Sequence, residues 1–250
     1  MKKLSKSVKH REYFDNIGEK YVGKNLPMIS FLKFLKQATR GYVRGEVLVV
    51  GSGGLINFDT SNITHIILTD VTLKTMKNVQ TISGGGFGPI SEQLKRKTKT
   101  SRANALKLPF SAGLFDTVIM FNVAHHLSGV SGKKSRSNVN TSISEIYRVL
   151  KKNGKLLLCE ACPTLLPKII QDWFYDLLSP IFLKQGKPIP YFLSIAKVGE
   201  ILHRNSIELI FCKTIPFGGR VYQPIFPRLS PPGWLWKYVL PNKLFIGLKK

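Results

Sequence analysis

Acidic residues are scarce. The 250 residues hold 14 Asp and Glu against 38 Lys and Arg, for a formal net charge of +24. Such an excess favours anionic partners: nucleic acid, an anionic membrane surface or a phosphorylated substrate. Solvated surface lysines account for it equally well, because the basic residues are spread out, from Lys2, Lys3 and Lys6 through Lys95, Arg96 and Lys97 to Lys249 and Lys250. Cysteine is nearly absent. Three residues exclude a disulfide framework and fit a reducing compartment. Long apolar runs are missing too. The longest, from Leu165 to Leu183, is broken by Lys168, Asp172 and Asp176, whereas a span needs about 20 mostly apolar residues. The basic start MKKLSKSVKHREYF lacks the apolar core of a secretory signal, so a cytoplasmic setting is expected.

What is present is a globular composition, 43% hydrophobic, with enough length for one large α/β domain. Residues 1–45 are basic, with Ile29, Leu32, Phe34 and Leu35 marking an amphipathic helix. The apolar run Val47–Val50 between Gly45 and Gly51 reads as a buried parallel strand. HIILTD (65–70), FDTVIMFN (115–122) and KLLLCEA (155–161) read as further strands, with a shorter one near Lys99–Ala103. TLKTMKNVQ reads as helix, SGGGFGP (83–89) as a flexible break, and SEQLKRK as a basic helical stretch. SISEIYRVLKK (142–152) has a helical apolar face and is expected to stop at Asn153-Gly154. Beyond 163, a helix is expected up to Pro180, another over 194–205, and strands over 207–215 and 244–250. Strands alternating with helices predict a Rossmann-like, doubly wound, mostly parallel sheet of about seven strands. The expected divisions are an N-terminal helical segment (1–45), a cofactor-binding core (46–215) and a C-terminal lid with the last strand (216–250).

Gly51-Ser52-Gly53-Gly54 follows a buried strand, where glycines let the backbone turn sharply and approach a ligand. A dinucleotide fingerprint would need a glycine at position 56, which is Ile56. Asp70 ends the next strand, where a carboxylate can bind ribose hydroxyls or, alternatively, cap a turn.

These motifs, in this order, resemble class I S-adenosylmethionine-dependent methyltransferases, and within them the small-molecule group that includes ubiquinone and menaquinone methyltransferases. The resemblance runs over residues 10–160. EYFDNIGEKY is similar to the group's aromatic entry segment, VLVVGSGG to its glycine loop and LTDVT to its ribose-binding strand end. RANALKLPFSAGLFDTVIMFNVAHHL is similar to its adenine-contact segment and fourth strand, and EIYRVLKKNGKLLLCE to its next helix and strand. The resemblance implies S-adenosylmethionine as cofactor and a small or lipid-like acceptor. It places Gly51, Ser52, Gly53, Asp70, Val71, Asn104, Ala105, Asn122 and Tyr21 around the cofactor. Three positions depart from the group's pattern. Its acid two residues before the first glycine is Val49, its glycine after the loop is Leu55, and its adenine-reading Asp is Asn104. Residues 82–97 form an insertion relative to the group. A carboxylate returned at position 49 is expected to tighten cofactor binding, provided the strand does not bury it.

Methyl transfer needs a base only when the acceptor is a hydroxyl or an acidic carbon. His125 and His126, after the fourth strand, are the candidates, with packing or helix capping as the other role for each. Tyr13 and Tyr21 either line the site or pack. Cys159 and Cys162 form a C-x-x-C without the further ligands zinc needs, and read as buried thiols. Two other functions compete: nucleic-acid methylation, motivated by the charge, and a methyltransferase-like binding protein, motivated by Val49, Leu55 and Asn104. Residues 216–242 carry Phe217, Tyr222, Phe226, Trp234, Trp236 and Tyr238 among Arg220, Arg228 and Lys237. They read either as a loop packed on the sheet or as an acceptor lid that meets a membrane surface.

Overall fold

The computed structural model describes residues 26–83, 86–216 and 239–250. The expectations for Tyr13, Tyr21 and most of the 216–242 segment lie outside the described residues.

Helix α1 (Leu26–Ala38) precedes strand β1 (Gly45–Val50), the short β2 (Leu55–Ile56) and β3 (Ile63–Asp70). A hairpin follows, β4 (Gln80–Ser83) with β5 (Gly86–Pro89), then α2 (Glu92–Lys97) and β6 (Thr98–Arg102). Next come β7 (Phe115–Phe121), α3 (Gly132–Val149), β8 (Leu150–Ala161), α4 (Leu165–Lys184), α5 (Ile195–Arg204), β9 (Ile207–Ile215) and β10 (Asn242–Lys249). The main sheet has seven strands in the order β6-β3-β1-β7-β8-β10-β9. Pairing is parallel from β6 through β8, and β10 runs antiparallel to both its neighbours.

Alternation along the strands builds both layers. Leu48, Val50, Val118, Met120, Leu156 and Leu158 face one side, where Val139, Ile143 and Ile146 of α3 and Val198, Ile201 and Leu202 of α5 meet them. Val47, Val49, Ile119, Leu157 and Cys159 face the other, against Phe31, Leu32 and Leu35 of α1. Successive side chains point to opposite faces, so a run such as VLVV, buried throughout, must be covered twice. This is the doubly wound arrangement expected.

Several boundaries differ from the sequence reading. Residues 72–80 hold one short 3₁₀ turn, Lys74–Met76, in place of a helix. Gly86–Pro89 of the Gly-rich stretch form β5, which with β2 and β4 makes a second, three-stranded sheet. Phe87, Ile90 and Leu94 of this insertion pack on the α1-side core, which gives a polar-looking segment its apolar anchor. Helix α3 starts ten residues earlier than expected, capped by the Ser131 side chain, and ends at Val149. Asn153-Gly154 does not stop it; it lies within β8, where the pairing with β7 slips, and Asn153 has φ +60°. Helix α4 runs through Pro180 to Lys184. Buried Ser179, which donates to Gly129 O (2.7 Å), anchors the backbone next to the proline. Finally, β10 is interior, so β9 alone of the last two strands forms the sheet edge.

Candidate functional site

The carboxyl ends of β1, β3, β6, β7 and β8 share one edge of the sheet. The strand order reverses there between β1 and β7, the position where open α/β sheets bind ligands. The loop after β1 turns with positive φ at Gly51 (67°), Gly53 (55°) and Gly54 (81°), a path that glycine follows without strain. At Gly51 a Cβ would stand 2.5 Å from Val123 Cγ2, so the missing side chain lets the loop close against the end of β7. Space beside Gly53 is open, with nothing within 4 Å of where a Cβ would stand.

Asp70 organises this loop. One carboxylate oxygen accepts from Gly53 N (3.0 Å) and the other from Thr72 N (3.2 Å). The turn role and the position beside the glycine loop therefore coincide in one residue. Val71, next to it, is exposed, and its carbonyl accepts from Arg102 Nε (3.1 Å). After β6, the Asn104 side chain accepts from Leu106 N (2.9 Å), and Ala105 is buried behind it. This segment is braced from below. Arg148 donates to Phe110 O (2.7 Å) and Leu108 O (3.0 Å), while Glu145 accepts from Leu108 N (2.8 Å) and pairs with Arg148. The Arg148 hydrogen bond, followed by the Leu108 N–H, outweighs burial and holds the Glu145 carboxyl below the usual glutamate range. Asn122, at φ 56°, ends β7 with its N–H on Cys159 O (2.8 Å). Asn tolerates this left-handed geometry better than most residues.

Val49 sits just below, 4% exposed, in one apolar cluster with Ile56, Phe58 and Leu68. The strand thus buries the position where the resemblance leads one to expect an acid.

The two histidines part company here. His125 Nδ1 lies 2.7 Å from Glu160 Oε2, and the pair is largely closed off, with side-chain exposures of 13% and 5%. The other Glu160 oxygen accepts from Val123 N (2.7 Å) and Ala124 N (2.6 Å). A carboxylate only accepts, so Nδ1 carries the proton and Nε2 is left as the acceptor of the neutral ring. Phe192 stacks on the His125 ring at 4.9 Å, and His126 lies against it at 4.0 Å. His125 O accepts from Tyr191 N (2.9 Å). Residues 191–192 are in turn held by α4. Gln171 bonds both the N–H and the carbonyl of Phe192, at 3.0 and 2.9 Å. The buried Tyr191 hydroxyl donates to Asp172 (2.8 Å) and accepts from Lys168 (3.0 Å) and Arg136. Burial and the Asp172 contact push its phenol up, so it stays protonated.

Glu160 escaped the sequence reading. Its signal was an acid inside LLLCEAC, since a glutamate in a buried strand is rare unless paired. Phe192 carried no signal short of the fold. Cys159 and Cys162 are buried, and burial raises both thiols well clear of neutral pH. Among the described residues, no group of three or more His, Cys, Asp or Glu could hold a metal ion.

Residues 50–158 match a methyltransferase domain family. The chain is 32% identical to a ubiquinone/menaquinone biosynthesis C-methyltransferase of Rhizobium johnstonii over 44% of its own length and 43% of the relative's. It spans about half the length of the curated relatives it matches. Among solved structures, the fold is similar to YcgJ of Bacillus subtilis (TM-score 0.55, 15% identity, 88% of this chain and 98% of the other). It is also similar to a geranyl diphosphate C-methyltransferase of Streptomyces coelicolor (TM-score 0.54, 11% identity, 88% and 78%). Residues 50–158 accordingly match a methyltransferase domain, and over part of its length the chain is similar to the ubiquinone and menaquinone C-methyltransferases.

Proposed function

We propose that the chain methylates a small, apolar or lipid-like acceptor from S-adenosylmethionine, with His125 taking the acceptor's proton. The observation that carries this reading is the glycine loop, hydrogen-bonded to Asp70 through Gly53 and packed by Gly51 on Val123, whose turn bears His125 and is held by Glu160 of β8. The residues fit the cofactor. Asp70 sets its carboxylate against the glycine loop, through Gly53 N and Thr72 N, and the open space at Gly53 admits a ligand against the backbone. Asn104 and Ala105 would line the adenine, with Val71 and Asn122 beside them. When bound, the cofactor supplies a methyl group already activated on its sulfonium.

The chain's own residues bind, orient and manage a proton. Holding the partners in line can contribute up to about 7–11 kcal/mol. A proton leaving an acidic carbon or a hydroxyl would be received at His125 Nε2, and Glu160 would stabilise the imidazolium that results. The matched relatives are named C-methyltransferases, a chemistry in which such a proton must leave. A cytoplasmic setting fits the free thiols of Cys159, Cys162 and Cys212. The test is calorimetric titration with S-adenosylmethionine and S-adenosylhomocysteine. Wild type should bind both, and Asp70→Ala should lose about 1.5–3 kcal/mol per hydrogen bond to the charged acceptor. Absence of binding by wild type at millimolar ligand would overturn the reading.

A further inference from the structure

We propose that α4 docks the protein on an anionic phospholipid bilayer, lying in the headgroup plane with its outer face inserted. This deepens the reading above, because it supplies a route for an apolar acceptor, and it rests on that reading for its purpose alone.

The outer face of α4 carries Leu166, Ile170, Trp173, Phe174, Leu177 and Ile181, spaced as one stripe on a 20-residue helix. All six are exposed, with Leu166 at 68%, Trp173 at 75% and Leu177 at 65%. Single exposed apolar side chains are ordinary, but a continuous stripe of this size marks an interaction surface. Rotation of the helix cannot hide it. The inner face is fixed by Tyr175, whose hydroxyl donates to Gly129 O (3.2 Å), by Ser179 on the same carbonyl, and by Gln171 on Phe192.

Charge selects the occupant. The two acids of α4 are already engaged, Asp172 by Lys168 and Tyr191, and Asp176 by Gly132 N (2.6 Å). The latter bond brings the exposed Lys133 and Lys134 beside the helix, while Lys184 and Lys187 flank its C-terminus. A formal charge of +24 opposes a second copy of the chain on this face and favours anionic lipid. An amphipathic helix with a Trp at its apolar boundary and lysines around it suits the interface of a bilayer. No described helix is long and apolar enough to cross one.

The inner face leads to the site. Gln171 holds Phe192, Phe192 stacks on His125, and Tyr191 bonds both α4 and the His125 carbonyl. A helix seated in the headgroups would therefore lie between the bilayer and the Phe192–His125 stack, tied to that stack through Gln171 and Tyr191.

The test uses the full chain with Trp234 and Trp236 replaced by Phe, which leaves Trp173 as the sole tryptophan of the three. It should pellet with phosphatidylcholine vesicles containing phosphatidylglycerol, less so with phosphatidylcholine alone or in high salt. Its fluorescence should be quenched by brominated lipid. In the original background, Trp173→Ser/Leu177→Ser should partition roughly tenfold or more weakly. That variant should melt at the wild-type temperature and bind S-adenosylmethionine normally. Failure to pellet on either vesicle overturns the proposal. So does a lowered melting temperature, which would mean that the chain itself covers the face, or a wild-type dimer that the variant dissociates. S-adenosylmethionine titration of the same preparations separates the two readings, since docking can fail with cofactor affinity intact and the reverse.

Discussion

Glu160 grips His125 with one carboxylate oxygen, at 2.7 Å from Nδ1, and the backbone of the turn that carries the histidine with the other. The ring and its support are therefore set by a single buried side chain. In Glu160→Gln the amide can still accept from Val123 N and Ala124 N, but its NH₂ would face Nδ1 and move the ring proton to Nε2. Turnover should fall by as much as about 10²–10⁴-fold. Cofactor affinity should hold, and the pH–rate profile should lose the limb that reports the free base. A variant whose profile keeps that limb would remove His125 from the proton path.

Gly51→Ala tests the contact between the glycine loop and the end of β7. The left-handed backbone alone should cost about 1–2 kcal/mol, and the new Cβ would meet Val123 Cγ2 at 2.5 Å. Gly51→Ala/Val123→Ala removes the clash and leaves the backbone strain. Urea melts should show the double variant closer to wild type than the sum of the two single changes.

At position 49, an added carboxylate meets Ile56, Phe58 and Leu68 rather than solvent. Val49→Asp should destabilise the fold by several kcal/mol at neutral pH, with the loss easing in acid as the buried group protonates. Thermal melts across pH check the sign. A fold of unchanged stability that binds S-adenosylmethionine more tightly would show that the acid reaches the cofactor.

Acid should loosen the segment that follows β6. Glu145 is held below its ordinary value, chiefly by Arg148, so the brace on Leu108 and Phe110 is complete above about pH 4.3 and lost as pH falls through the lowered value. In Glu145→Gln that acid-dependent part of the stability should disappear. Amide exchange at Leu108, followed through acidic pH in both proteins, distinguishes the two.

The main sheet was legible because VLVV, HIILTD and FDTVIMF are apolar enough to be buried on both faces, a pattern few other structures accept. The hairpin β4–β5 was not, since SGGGFGP offers little besides Phe87 to signal burial. The first ten residues of α3 gave little apolar signal, since their buried positions are Gly132, Ser135 and the single Val139. The glycine loop and Asp70 stood out through their positions at strand ends. Glu160 and His125 are 35 residues apart, and only the parallel pairing of β7 with β8 makes them neighbours. Choosing between His125 and His126 required that pairing.

The antiparallel placement of β10 sets an order on assembly during synthesis. Five parallel strands are complete once Ala161 has left the ribosome, and they can begin to pack with α1 and α3. Strand β9 emerges next but has no partner, because its neighbour in the sheet is β10, made 27 residues later. Until residues 242–249 arrive, both β9 and the outer side of β8 present bare backbone edges, the kind that recruit other chains. A nascent chain paused between these two strands is thus the stage at which this protein is most exposed to misassembly.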